Sequence, residues 1–503
     1  MSYNFSVLYI SCYTFSYDAY GKEIVKSHER RLMSMFHLSK EAGDVQRSVD
    51  ISPLLRVSSG PQSLTPSATL LMNERVAQKS LAGEAILDLG FGEASFPLHP
   101  FLKAALREAA SRTRYAPVLG LPALRQAIAQ YLVKTRGITA SSDHIVVGPG
   151  SKALLYALLQ VLEGDLLLPV PSWVSYAPQA RLAGKRIIAV PTDPHDHHRL
   201  IPHMLSEALA RAQRDGATPR LLLVNSPNNP TGGMLDRGDM EALAAWAREA
   251  QVTLISDEIY AELAHGWCEH VSPARFYPEG CIVTGGLSKA FSAGGWRLGY
   301  VAIPQSEEGS QLLAALRAFA SEVWSAVATP IQEAALVAFT PGTEVTGYVQ
   351  HAARLHEYVT TRLYRTLKKL GVPCPRPAGA FYLYPDFSPW RSKLLAQGIK
   401  TSEELASYLL ETWGMATLPA SVFGEPPEAL RLRLSTSRLY ETNKESPEEQ
   451  EEFLWQLLGQ AGASSSSGQE HWDTSLLPAV NEAEARFAAL VDSLGASRSL
   501  SDD

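Results

Sequence analysis

Seven short apolar runs of strand length, most of them separated by helical patterns, constrain this chain more than anything else in it. They lie at 145–147, 166–168, 187–190, 221–224, 253–256, 282–284 and 300–303. Runs that are apolar throughout, rather than alternating, belong to strands covered on both faces. The intervening helical patterns, such as 122–134, 152–162 and 237–249, supply that cover. A mostly parallel sheet sandwiched by helices follows, an α/β architecture. From about 340 the texture changes to long helical patterns at 345–370 and 402–413, with strand pairs at 380–384 and 429–434. The expected organisation is a large domain over 98–339 and a smaller α+β domain from 52–97 and 340–460. Residues 1–51 read as a poorly ordered extension, and 461–503 as a low-complexity tail. Within that tail Phe487, Leu490, Val491 and Leu494 keep helical spacing, which predicts a short helix packed on its own protein.

Composition excludes several classes of function. The 45 basic and 52 acidic residues give a net charge of −7 without long single-sign runs, so nucleic acid and membrane surfaces are not expected partners. Cysteines at 12, 268, 281 and 374 form no CxxC pair, which argues against a disulfide framework and a zinc site. No apolar run reaches the roughly 18 residues of a membrane helix. The first 50 residues lack a secretory apolar region, and Asp18, Glu23 and Glu29 do not suit a transit peptide. A cytoplasmic, reducing location is the expectation.

The chemistry concentrates at predicted strand ends, where open α/β sheets bind ligands. After the strand at 282–284 comes Gly286-Leu287-Ser288-Lys289-Ala290-Phe291-Ser292-Ala293-Gly294-Gly295-Trp296-Arg297-Leu298-Gly299. Small neighbours admit a bound group closely, and desolvation lowers a lysine's pKa toward the amine that forms a Schiff base. That combination suits pyridoxal phosphate. Gly150, Ser151 and Lys152 open a helix whose N-terminus can hold a phosphate. Trp173, in a proline-held loop, either stacks on a flat ring or fills the core. Asn229 sits in the rigid polar loop Ser226-Pro227-Asn228-Asn229-Pro230-Thr231-Gly232-Gly233. Asp257 ends an apolar strand, where it either caps a helix or keeps a pyridine nitrogen protonated; Tyr260 follows three residues on.

The runs SPNNPTGG, DEIY and GLSKAFSAGGWRLG together resemble the class I pyridoxal-phosphate aminotransferases of fold type I, in order and spacing, from about Pro66 to Arg433. The resemblance implies that Lys289 is the Schiff-base lysine and proton shuttle. It further implies that Asp257 pairs with the pyridine nitrogen and that Asn229 and Tyr260 bind the ring oxygen. Trp173 would stack on the ring, with Gly150, Ser151, Ser288 and Arg297 on the phosphate. Tyr115, in a segment similar to the family's YxPxxGxPxLR, implies a homodimer in which this tyrosine reaches the neighbour's phosphate.

On the substrate side an α-carboxylate calls for a bidentate arginine, and Arg431 and Arg433 share one face of a strand, which leaves both open. The family pattern selects Arg433, and it places Gly92 beside the substrate. The segment around Gly92 departs from the family's GEPDF at Ala94 and Ser95. Pro66-Ser67-Ala68-Thr69 and Lys152 are similar to residues that the aspartate and prephenate aminotransferases of subgroup Iβ use for a distal carboxylate. Against that, Ser67 suits a helix cap, Lys152 suits a solvent-facing first turn, and Gly150-Ser151-Lys152 departs from the usual GGK. The expected reaction is amino transfer between an amino acid and a 2-oxo acid, with acidic partners such as aspartate, glutamate or prephenate. The alternatives are aromatic or neutral donors, a lyase or synthase on the same fold, and a regulatory domain without catalysis.

Overall fold

The expected strands assemble into a seven-stranded sheet in the order β2-β8-β7-β6-β5-β3-β4. Its members are β2 (Ile145–Gly148), β3 (Asp165–Val170), β4 (Ile187–Pro191), β5 (Pro219–Asn225), β6 (Thr253–Asp257), β7 (Cys281–Gly286) and β8 (Gly299–Ala302). The computed structural model describes Ser58 and residues 64–340, 342–440, 446–463 and 473–495. The expected N-terminal extension over 1–51 and the serine run at 464–467 lie outside the described residues. β3 through β7 pair in parallel, and β8 runs antiparallel between β2 and β7. Leu222, Leu254, Ile255 and Val301 are fully enclosed, as strands with helices on both faces require.

The α/β architecture is therefore as the pattern of runs dictates. Helices Pro122–Arg136, Ser151–Val161 and Arg237–Glu249 fall within two residues of their expected limits. Caps explain the ends: Gly137 in the left-handed region closes the first, and a capping box between Asp236 and Asp239 opens the third.

Beyond the main sheet, β1 (Leu87–Asp88) pairs in parallel with β10 (Met415–Ala416). A further three-stranded sheet has the order β11-β12-β9, from Leu418–Pro419, Leu432–Ser435 and Tyr382–Leu383. The long helix Thr343–Lys369 packs beside these elements, and against it lie Pro447–Ala463 and the C-terminal Pro478–Leu494. That last helix buries Val480, Phe487, Leu490 and Leu494 in the core, the apolar face that its spacing marks. Among the described residues no helix is long and apolar enough to cross a membrane.

Register matters most for function. Asn225 pairs with Asp257, and Asp257 with Thr284, so three polar residues stand in one row at the carboxyl ends of β5, β6 and β7. Ile255, fully enclosed two residues before Asp257, holds that row down. Ile255→Ala should cost about 2–5 kcal/mol through the cavity it leaves. The measurement is the urea unfolding midpoint at unchanged slope.

Candidate active site

Asp257, only 3% exposed, is held from several sides. Tyr176 Oη donates to Oδ2 at 2.7 Å and Thr284 Oγ1 to Oδ1 at 3.1 Å. Asn225 Nδ2 donates to the Asp257 carbonyl at 2.9 Å, while its own Oδ1 accepts the Asn229 N–H at 2.8 Å. Burial pushes the Asp257 pKa up, and the hydroxyls of Tyr176 and Thr284 pull against it by favouring the anion. The aspartate is not a helix cap. A carboxylate so enclosed, with hydroxyls but, among the described residues, no salt-bridging cation, is suited to a positive group entering the cavity above it.

Lys289 lies just past β7, and its Nζ donates to the Gly92 carbonyl at 2.6 Å. The side chain keeps a path to the cavity, yet protein surrounds the amine. Burial lowers its pKa to about 8; Glu93 opposes the shift, and the cations of Arg433 and Arg297 add to it. The rings of Tyr260 and Phe381 flank the amine at 5.8 and 5.9 Å. Tyr260 Oη lies 2.7 Å from Tyr382 Oη. Trp173 stands edge-on to Tyr176, ring centroids 5.1 Å apart, with the Lys152 amine 5.3 Å from its ring. Burial and the Arg297 charge hold the Lys152 pKa below its ordinary value.

At the other end of the cavity, helix Ser151–Val161 begins with no side-chain cap, so its first N–H groups face outward. Its N-cap Gly150 has φ 88°, and a Cβ there would come within 2.5 Å of Arg297 Nη2. Only glycine leaves that space. Arg297 Nη1 is steadied by the Gly294 carbonyl at 2.8 Å.

The two candidate arginines separate cleanly. Arg431 is engaged by Asp386 at 3.0 Å and Glu425 at 2.7 Å. Arg433, 2% exposed, donates to the Gly90 carbonyl through Nη2 and keeps Nε without a partner. Its guanidinium lies 5.0 Å from the Tyr382 ring. Ser67 precedes helix Ala68–Leu81 but makes no side-chain cap bond, which leaves its hydroxyl uncommitted to the helix. Gly92 lets Tyr382 close in, since a Cβ there would sit 2.3 Å from Tyr382 Oη.

All the sequence-predicted site residues except Gly150 and Tyr115 line one cavity of about 280 Å³: Ser67, Thr69, Gly92, Ser151, Lys152, Trp173, Asn229, Asp257, Tyr260, Ser288, Lys289, Arg297 and Arg433. Gly150 lies behind Arg297. Tyr115 is 94% exposed and does not enter its own chain's cavity. A second void of about 660 Å³ shares the Tyr176 and Asn225 walls but has no lysine in its lining. The motif reading passed over Tyr176, Asn225, Tyr382 and Glu93, which also line the first cavity. Tyr176 had one signal, its spacing of three from Trp173 at a helix start; Tyr382 had none, because its contact with Tyr260 spans 122 residues.

A family model described as aminotransferase class I and II matches residues 84–443. The chain belongs to that family. It is 35% identical over 387 residues to an aspartate aminotransferase of Geobacillus stearothermophilus, covering 75% of this chain and 93% of that one. An aspartate/prephenate aminotransferase of Thermus thermophilus is 32% identical over 407 residues, covering 80% and 98%. The solved structure of a Thermus thermophilus aspartate aminotransferase with maleate superimposes with a TM-score of 0.71 at 29% identity, covering 87% of this chain and all of that one. This aminotransferase is accordingly a pyridoxal-phosphate enzyme of fold type I.

The cavity's own chemistry fits that cofactor. Asn229 Oδ1 is buried without a hydrogen-bond partner beside the cavity, as is Arg433 Nε. Glycine at 150 leaves room at an uncapped helix start next to a guanidinium, a cradle for phosphate. Tyr176→Phe removes one donor from a buried carboxylate, worth about 1–3 kcal/mol. Cofactor affinity, measured by equilibrium dialysis, should weaken about tenfold while the fold persists. A second expectation follows from Lys289. Its pKa of about 8 means that cofactor capture by the apoenzyme should rise through pH 8, well below the 10.5 of an ordinary lysine, in a stopped-flow pH series.

Proposed function

We propose that this aminotransferase acts on acidic amino acids and 2-oxo acids of the aspartate, glutamate or prephenate kind, as a homodimer. The observation that carries the substrate reading is the grouping of Lys152, Ser67 and Thr69 with Arg433 and Lys289 around one cavity. A dicarboxylate needs two cationic ends, and these residues supply both. Relatives named for aspartate and prephenate, and a solved neighbour holding the dicarboxylate maleate, support it.

When bound, pyridoxal phosphate supplies an aldehyde that captures the amino group and a ring that accepts the electron pair left at the substrate Cα. The chain does the rest. Asp257 holds the proton on the ring nitrogen by charge pairing. Trp173 would stack on the ring, Asn229 and Tyr260 would bind its oxygen, and Gly150, Ser151, Ser288 and Arg297 would hold the phosphate. Arg433 binds the α-carboxylate as a planar fork and Gly92 closes the site behind it. Lys289, whose amine burial holds at a pKa of about 8, would take the proton from the substrate Cα and act as the proton shuttle of the site. The second half-reaction, with a 2-oxo acid, reverses these roles. The exposed Tyr115 fits the reading in which it completes the phosphate site of a second copy.

Lys289→Ala should abolish both transamination and the Schiff-base absorbance of the purified protein; a colourless wild type with added cofactor refutes the reading. Lys152→Ala should lower kcat/KM for aspartate several-fold, since the exposed amine is partly screened by solvent, and barely touch phenylalanine. Arg433→Ala should weaken both donors. Equal losses for both donors in Lys152→Ala remove the distal-carboxylate role.

A further inference from the structure

We propose that Arg486, on the C-terminal helix, is a positioning residue for the substrate-carboxylate end of the site, acting through the chain that leads into β1. The proposal rests on the reading of Arg433 as the α-carboxylate arginine.

Three backbone carbonyls converge on this one guanidinium. Nη1 donates to Trp413 O and Gly414 O, each at 2.9 Å, and both Nη1 and Nη2 reach Ala85 O at 3.3 Å. Trp413 and Gly414 close helix Ser402–Trp413, whose carbonyl end carries the negative end of the helix dipole. A cation suits that end. Gly414 also makes the approach possible, because a Cβ at that position would lie 2.6 Å from Arg486 Nη1 and 3.0 Å from Ala85 O.

The same joint feeds the substrate loop. Gly414 O accepts the Leu87 N–H at 2.8 Å as well as Arg486, so the guanidinium clamps the point where β1 joins β10. One residue further, the Asp88 carboxylate accepts the N–H groups of Gly90 at 2.9 Å and Phe91 at 3.1 Å. Arg438 secures that carboxylate at 2.6 Å. The turn so formed presents Gly90 O to Arg433 and Gly92 O to Lys289. Ala85 is thus five residues upstream of a carbonyl that orients Arg433, with a backbone constrained at most steps between.

The base that carries Arg486 is firm. Its neighbour Phe487 is fully enclosed, Glu484 takes Arg362 at 2.6 and 3.1 Å and Thr366 at 2.9 Å, and Trp390 Nε1 donates to Gly495 O at 2.8 Å. Arg486 Nε is itself steadied by Glu482 at 2.8 Å. Loss of the guanidinium takes this donor from Trp413 O and leaves Gly414 O with the Leu87 N–H, and it lets the segment 85–90 shift, which moves the support of Arg433.

The test compares holoenzyme variants by steady-state kinetics, cofactor absorbance and thermal melting. Arg486→Ala should raise KM about tenfold for aspartate and phenylalanine alike, because both present an α-carboxylate; the charge-assisted bonds lost are of that order. The cofactor absorbance and kcat should change far less. Arg486→Lys keeps one cationic donor but cannot span three carbonyls, and it should raise KM by a smaller factor; this variant decides the matter if the alanine protein does not fold. An unchanged KM in the folded variant, with only a lower melting temperature, shows a purely structural arginine and overturns the proposal. Arg433→Ala, run in parallel, separates the two readings: if it leaves KM unaltered, the underlying assignment fails on its own account.

Discussion

A carboxylate buried at the end of the central strand β6, with hydroxyl donors but no salt-bridging cation among the described residues, is the constraint from which the rest of the site follows. Asp257 would neutralise itself in so enclosed a place if nothing favoured its charge. Tyr176 and Thr284 each give it a hydroxyl, from a short helix on one side and the adjacent strand on the other. Those bonds need β5, β6 and β7 in strict register, since a slip of one residue would turn Thr284 and Asp257 to opposite faces. The sheet's apolar interior therefore fixes where a buried carboxyl group lines the cavity.

The next residue, Glu258, points away from the cavity and meets a different need. It is fully enclosed and pairs with Arg136 at 3.2 Å, while Ser256 and Ser272 donate to it at 3.0 and 2.5 Å. Arg136 is also held by Glu262. Burial works against the Arg136 charge, but Glu262 and Glu258 outweigh it and the guanidinium pKa is raised. Ion pairs this deep contribute little net stability; they do fix geometry, because breaking one strands its partner. The two acidic neighbours at the end of β6 thus face opposite ways, Asp257 lining the cavity and Glu258, just past the strand, tying it to the helix Pro122–Arg136.

Cations are distributed around the cavity with comparable economy. Lys289, Arg297, Arg433 and Lys152 all line it; burial lowers the affinity of the two amines for protons, and the arginine charges lower it further. A site so charged is prepared for anions: a phosphate, an α-carboxylate and, in the proposed substrates, a second carboxylate. Burial is the main source of the reactive amine at Lys289, and the neighbouring cations add to it.

The sequence by itself determined the sheet, its helical cover, the family and most of the cavity's inventory. These depend on short-range patterns: apolar runs of strand length, glycines and prolines in fixed loops, and motifs of a few residues. Strand alternation alone left Arg431 and Arg433 open, since it puts both on one face, and only the family pattern selected Arg433. The tertiary structure distinguishes them, since Asp386 and Glu425, neither adjacent to Arg431 in sequence, engage that guanidinium while Arg433 faces the cavity. Ser67 is a similar case, a potential cap whose hydroxyl makes no cap bond. Tyr382, Glu93 and Arg486 were beyond local reading altogether. Their partners lie as far as 401 residues away along the chain, and only folding brings such groups within hydrogen-bond range.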